Sequence, residues 1–407
     1  MRDEWPRRTD LSPEREAAAV GTTSANWIDP PYNRVGYLHV RELTRTASVG
    51  RGHGPVWSIP GRAALLHGLP VSLPGGDVRL AEVLTSCFVD SMVVVHDGAV
   101  VVEYHDTGVD PSTNHLLMSV SKSVAALLTG ILVERGVLGA DTRVESVLPE
   151  LVGTAWEGCS VQHLLDMRAG VRFDEHDMDD PTCHGRVIEW ISGYTFPTPP
   201  ELSSTLPTNT RDWIVSLEKV AEHGSRYEYQ SICTDVLAWM IERSTGRRYS
   251  DVLSDELWSR LGAVHDADLI VDATGFPVAE GGLCATAGDL ARLGQMVLDG
   301  GVARGEQVVP EAWIERILSG PDELVAQFAA GHDAIPSRPS AYYHDGWWVT
   351  DPARGEFRGL GLGGQQLFID REAQLVVAIL SSTPLRIDPA AARSMDAALK
   401  ALRDTLR

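Results

Sequence analysis

Two β-branched runs, in SMVVVHDGAVVVEYHDTG, flank Asp97-Gly98. That pair tolerates positive φ at both turn positions, so the segment predicts a β-hairpin. Over 119–135 the pattern changes to a helical period, with Val120, Val124, Leu127, Leu128, Ile131 and Leu132 on one face and Gly136 as the stop. SVQHLLDMRAG, TRDWIVSLEKVAEHG and SICTDVLAWMIERSTG also fit a 3.6-residue period and predict helices through the middle of the chain. From Gly281 a helix in CATAGDLARLGQMVLDGG leads to strand-like DGWWVT and QLFIDREAQLVVAILSS, and a helix over 389–406 closes the chain. Strands at both ends around a helical middle predict an α+β protein: a sheet domain of 76–136 and 275–407 carrying a mostly helical insertion, 137–274. Residues 1–75 are rich in Pro, Gly and Arg without sustained period and read as an arm packed on the main domain. A polar stretch, roughly 172–210, reads as a loop of functional length, and its acidic cluster (Asp174, Glu175, Asp177, Asp179, Asp180) as a solvated face.

Composition narrows the function. The 407 residues are 43% hydrophobic and 22% charged, which excludes collagen-like and wholly disordered classes. Asp and Glu outnumber Lys and Arg by 56 to 35, a formal charge of −21. That field repels phosphate backbones and anionic lipid, so neither nucleic acid nor a membrane is an expected partner. No apolar run approaches the roughly 18 residues of a membrane span, and MRDEWPRRTDLSPERE has no apolar stretch of a secretory signal behind it. Five separated cysteines (Cys87, Cys159, Cys183, Cys233, Cys284) without a Cys-x-x-Cys read as reduced thiols in a cytoplasmic protein, with neither metal nor cofactor expected. His-Glu-x-x-His and Gly-x-Ser-x-Gly are both absent, which removes the common zinc and α/β-hydrolase signatures.

Only three lysines occur, Lys122, Lys219 and Lys400. One closes Ser119-Val120-Ser121-Lys122 at the start of the 119–135 helix. Residues three apart share a helix face, so Lys122 reaches the Ser119 hydroxyl, and a helix amino terminus favours developing negative charge. Serine needs an adjacent base to act as a nucleophile, and a desolvated lysine can supply one. A second match, Ser216 to Lys219, lies in a polar helical stretch and reads as accidental. Downstream, Arg226-Tyr227-Glu228-Tyr229-Gln230-Ser231 precedes another helix and offers a phenol as proton shuttle. Further on, Arg358-Gly359-Leu360-Gly361-Leu362-Gly363-Gly364-Gln365 runs into a strand rather than a helix, which argues against a dinucleotide loop. Its glycines suit close approach of a substrate carbonyl to backbone N–H groups.

These elements, in this order, resemble the serine β-lactamase and penicillin-binding-protein superfamily in its class C and esterase branch, and within it the 6-aminohexanoate-dimer hydrolases. The resemblance is densest in HLLMSVSKS, TDVLAWMIERSTGRRY and GGLCATAGDLARLGQMVLDGG. It implies a β-lactamase/transpeptidase-like fold, an antiparallel sheet flanked by helices. It also implies Ser119 as the acylated nucleophile, Lys122 as its base, and Tyr229 and Ser231 as the ends of the Tyr-x-Asn/Ser motif. Gly359–Gly361 stand in for Lys-Thr-Gly, and the N–H groups of Leu362 and Ser119 form the oxyanion hole. With no lysine or histidine at Gly359–Gly361, although Arg358 is adjacent, β-lactam hydrolysis is not expected. Met178 falls where the linear-amide hydrolases carry a loop tyrosine. Glu189 and Glu280 fall where those enzymes hold a substrate ammonium.

The expectation is a serine hydrolase cleaving a small ester or linear amide through an acyl-enzyme, free in the cytoplasm, with a homodimer as the assembly to test. Two alternatives stand beside it: an acyltransferase that resolves the same intermediate with an amine or alcohol, and a non-catalytic binding protein on the same fold.

Overall fold

The computed structural model describes residues 18–406 apart from 63, 65, 179 and 196–205. The first 17 residues of the expected arm, Asp179 of the acidic cluster and the 196–205 part of the polar loop therefore lie outside the described residues.

A short strand β1 (Thr46–Val49) and helix α1 (Leu80–Ser86) precede the hairpin of β2 (Val89–His96) and β3 (Ala99–His105). Asp97 and Gly98 at its turn have φ of 48° and 69°, as the sequence pattern requires. After β4 (His115–Leu116) comes α2 (Val120–Glu134). The middle of the chain supplies α3 (Val161–Leu165), α4 (His184–Ile191), α5 (Ile232–Thr245) and β5 (Ala267–Ile270). Then follow β6 (Leu283–Ala285), α6 (Ala287–Leu298), β7 (Tyr342–His344) and β8 (Trp347–Asp351). The chain ends with β9 (Glu356–Gly361), β10 (Gln365–Asp370), β11 (Leu375–Ser381) and α7 (Pro389–Leu406).

The main sheet is antiparallel, in the order β7-β8-β9-β10-β11-β2-β3, and a smaller one runs β1-β5-β6-β4. Both faces of the main sheet are covered, so β2, β10 and β11 are buried at every position rather than alternately. On β2, Val93 and Val95 join the core beneath α2 and α6, while Met92 and Val94 join the core beneath α1 and α7. Close approach sets the helix positions. A Cβ on Gly294 of α6 would lie 2.4 Å from Val376 on β11, and one on Gly130 of α2 would lie 2.4 Å from the Trp313 ring.

The helix α2 is buried from Val120 to Leu132, not on one face only. It lies between the sheet and the middle helices, and its polar side chains find internal partners. The Ser123 hydroxyl donates to the Gly346 carbonyl at 2.8 Å, and the Ser121 hydroxyl accepts the Leu283 N–H at 3.2 Å.

Four expectations change in detail. The amino-terminal arm contributes a strand, β1, paired residue for residue with β5. The predicted helix in TRDWIVSLEKVAEHG stops at Ser216, because the next residues pair across the chain. There the Glu218 carbonyl accepts the Arg172 N–H at 2.7 Å, and the Gly170 carbonyl accepts the Val220 N–H at 2.8 Å. The helix in SVQHLLDMRAG is short and gives way to a left-handed Met167, φ 54°. The long polar loop contains α4, whose Val187, Ile188 and Ile191 are buried.

One polar cluster ties the amino-terminal segment to the sheet. Asp90 on β2, wholly buried, pairs with Arg34 at 3.0 Å and His115 at 3.1 Å and accepts the Ser382 hydroxyl at 2.5 Å. Removing Asp90 takes from the buried Arg34 its fully buried partner and leaves it Asp106, at 3.1 Å, as its carboxylate partner, and breaking a buried pair costs about 3–5 kcal/mol. Asp90→Ala is expected to lower the unfolding free energy by that amount in a urea titration. A loss below about 1 kcal/mol would show that the cluster does not hold the segment in place.

Candidate active site

Ser119 sits at the N-cap of α2, immediately after Met118, whose φ of 48° is unusual for a side-chain-bearing residue. Strain of this kind is kept only where surrounding structure enforces it, and here it turns the Ser119 hydroxyl into a cavity of about 790 Å3. One turn on, Lys122 is 2% exposed. Its Nζ lies 2.7 Å from Ser119 Oγ, donates to the Glu280 carbonyl at 2.5 Å and stands 3.5 Å from the Glu280 carboxylate. It also sits 5.2 Å from the centre of the Tyr229 ring. The Tyr229 phenol and the Ser119 hydroxyl share a hydrogen bond, and burial holds that phenol far above its ordinary pKa, in its neutral form.

Aromatic packing fixes Tyr229, which stacks on Trp348 at 5.2 Å and meets Tyr343 edge-on at 5.7 Å. Tyr227, two residues earlier, turns the other way and donates to Asp333 at 3.1 Å. The fourth wall is the glycine strand β9. A Cβ on Gly359 would lie 2.9 Å from Ser123 Oγ, and one on Gly361 would lie 2.6 Å from the Leu117 carbonyl. These glycines let the strand press against the start of α2, a use of their small size that the sequence reading gave to the substrate. Beyond Arg358 the strand has no partner on its β8 side among the described residues, so Gly359–Gly361 present an open edge near Ser119. Arg358 itself points to the opposite face, to Asp396 at 2.7 Å and Glu356 at 2.9 Å, and cannot meet an anion beside Ser119.

The Beta-lactamase family profile matches residues 87–402. The chain belongs to the Beta-lactamase family. It is 36% identical over 380 residues, 93% of each chain, to a 6-aminohexanoate-dimer hydrolase of Paenarthrobacter ureafaciens. Among solved structures it resembles one proposed to be a 6-aminohexanoate-dimer hydrolase from Bacillus anthracis, with 27% identity, TM-score 0.86, and 95% and 97% of the two chains covered. EstCE1, a hydrolase with promiscuous acyltransferase activity, shares the fold at 18% identity, TM-score 0.59, over 80% of this chain and 98% of its own.

Within this Beta-lactamase family site, the remaining sequence-derived residues separate. Ser231, Glu280, Gly361 and Leu362 line the cavity with Ser119 and Tyr229. Glu189 lines it too, but both carboxylate oxygens are taken by arginines, Arg386 and Arg186, and Arg386 also binds Asp29 at 2.8 Å. Met178 forms part of the wall.

Four contributors were not legible in the sequence. Glu175, read there as part of a solvated cluster, instead turns into the cavity and accepts the Ser231 N–H at 2.8 Å. Burial pushes its carboxyl up to about 7, against the opposing pull of Lys122 and of the Ser231 hydrogen bonds. Asp235 on α5 is wholly buried and accepts the Glu280 N–H at 3.1 Å, so it holds the residue whose carbonyl receives Lys122. Burial and the Glu280 charge raise its carboxyl well above the usual range. His176 and His332, rings 4.1 Å apart, join two loops across the cavity wall. Among the described residues, one group has metal-like spacing: Asp166, His344 and Asp345. Its acceptors are occupied by Arg316 at 3.0 Å, Gln162 at 2.9 Å and the His344 ring at 2.7 Å, and it reads as a polar strut.

Glu175 gives a pH prediction. A carboxyl whose pKa rises from 4.5 to about 7 on folding binds more protons folded than unfolded between those values. Stability therefore falls as pH climbs through that window and levels off above it. Relative to Glu175→Gln, the wild type is expected to lose on the order of 3 kcal/mol of unfolding free energy between pH 4.5 and 7. Parallel curves for the two proteins in pH-dependent denaturation would remove the claim.

Proposed function

We propose that the protein is a serine hydrolase that cleaves a small ester or linear amide through an acyl-enzyme on Ser119. The observation that carries this reading is the Lys122 Nζ to Ser119 Oγ distance of 2.7 Å, with the Tyr229 phenol on the same hydroxyl. The amine form of Lys122 takes the Ser119 proton as Oγ attacks the carbonyl carbon. The oxyanion that forms is held by the backbone N–H groups of Ser119, at the amino terminus of α2, and Leu362, at the end of the open β9 edge. Tyr229 passes its phenolic proton to the leaving oxygen or nitrogen and is reprotonated from Lys122. Water then attacks the acyl-enzyme, giving its proton to the same pair, and the acid leaves with Ser119 restored.

Glu280 and Asp235 act on this sequence by fixing Lys122 rather than by touching the reacting atoms. We do not assign Glu189 a substrate ammonium, since Arg386 and Arg186 already match its charge; of the two carboxylates first considered, Glu280 is the one beside Lys122. Met178 has no proton to give, so Tyr229 alone assists the departing group. Esters, whose alkoxides leave with less assistance than amines, are accordingly the better substrates. The relatives named as 6-aminohexanoate-dimer hydrolases support testing linear amides next. We place the protein in a reducing, cytoplasmic setting because all five cysteines are buried thiols; no helix among the described residues is long and apolar enough to cross a membrane.

Ser119→Ala and Lys122→Ala are each expected to reduce kcat/KM for p-nitrophenyl acetate at least about a thousandfold. A serine-reactive phosphonate is expected to label the wild type once, at Ser119. Turnover by Ser119→Ala equal to the wild type would refute the assignment of the nucleophile.

A further inference from the structure

The cavity at Ser119 draws its lining from both faces of the main sheet. Gly361 faces α2, where a Cβ would meet the Leu117 carbonyl. Side chains alternate along a strand, so Leu360 faces the opposite way, together with Arg358, which reaches Asp396 on α7. Gln366 on β10 lies directly across from Leu360 and shares its face. Yet Leu360, Gln366, Ala391, Ala392 and Met395 line the same cavity as Ser119. The two faces communicate around the end of β9, where the pairing with β8 has stopped at Arg358.

Gln366 is the second observation. It is only 6% exposed, and its Nε2 has no hydrogen-bond partner. An unpaired buried amide is costly, and Leu360, Ala391, Ala392 and Met395 around it are apolar. A group that enters this arm and accepts a hydrogen bond removes that cost.

We infer that the cavity has a second arm on the α7 face of the sheet, which takes a linear, largely apolar chain of the substrate bearing a hydrogen-bond acceptor opposite Gln366. The inference rests on the hydrolase reading above and extends it: the scissile carbonyl sits at Ser119 on one face while the chain passes over the open end of β9 to the other. Selectivity among substrates then depends on chain length and on the position of one polar atom, at residues remote from the reacting groups.

Straight-chain p-nitrophenyl esters from acetate to octanoate, and their ω-acetamido counterparts, test this with the wild type, Ala392→Trp and Gln366→Leu. Ala392 is exposed on α7, so a larger side chain there fills the arm without entering the core. In the wild type kcat/KM is expected to rise at least about tenfold from acetate to hexanoate, since each buried methylene is worth roughly a factor of three to four. Ala392→Trp is expected to bring the hexanoate-to-acetate ratio close to one. At least one ω-acetamido ester is expected to exceed the plain ester of equal length severalfold, and Gln366→Leu to erase that preference. Acetate turnover with no dependence on chain length overturns the arm alone and leaves the hydrolase intact. A rise that Ala392→Trp does not touch overturns it as well. No turnover of any ester, with no phosphonate labelling, overturns the hydrolase reading and this inference with it.

Discussion

A lysine nitrogen withdrawn from water has to find partners inside the protein, and at Lys122 that requirement organises the structure around it. Burying an unpartnered cationic group costs several kcal/mol. Lys122, at 2% exposure, meets it with Ser119 Oγ, the Glu280 carbonyl and the Glu280 carboxylate. Each partner is itself held from elsewhere. The Glu280 peptide is fixed through its N–H by Asp235 on α5. Ser119 is fixed by the left-handed Met118 before it and by the phenol of Tyr229. The segment from Glu280 into β6, the helix α5 and the helix α2 come from three distant stretches of chain, and the lysine is satisfied only where they converge.

That convergence demands short distances between backbones. With a Cβ at Gly359 or Gly361, β9 would collide with Ser123 Oγ or the Leu117 carbonyl. A Cβ at Gly346 would lie 2.6 Å from Ala126 and 3.1 Å from the Lys122 carbonyl. The glycines around α2 thus serve packing first. Their effect on the site is indirect: they bring the open edge of β9 to Ser119 at the start of α2.

The features legible in the sequence are those determined by neighbours within a few residues. Ser119 and Lys122 share a turn, Asp97-Gly98 makes its own hairpin, and the 389–406 helix ends where its period ends. The known order of motifs placed Tyr229, Ser231 and the glycine strand in one site. Glu175 carried no such signal. It is one of several acidic residues in a polar stretch, and only the return of that stretch onto the Ser231 N–H makes it different from Asp174 or Asp177. Glu189 was legible as a position but not in its surroundings, because Arg386 lies 197 residues away in the chain. The strand β1 was hidden for the same reason, since its partner β5 begins at Ala267.

The charges of the site follow from this distribution of contacts. Three carboxyls, Glu175, Asp235 and Glu280, surround a single lysine. Three full negative charges in so small and dry a volume would repel one another strongly. The structure answers by burial, which raises the Asp235 carboxyl well above its usual range and the Glu175 carboxyl to about 7. Of the three, Glu280 is the one in ion-pair contact with Lys122, at 3.5 Å. At the wall the balance is different. There Glu189 and Asp29 meet Arg386, whose guanidinium they hold charged, so that side of the cavity is neutralised by pairs that do not depend on substrate. The ionic pairs of that wall are therefore complete without a substrate, and what the cavity offers beyond them is apolar area and its remaining polar groups.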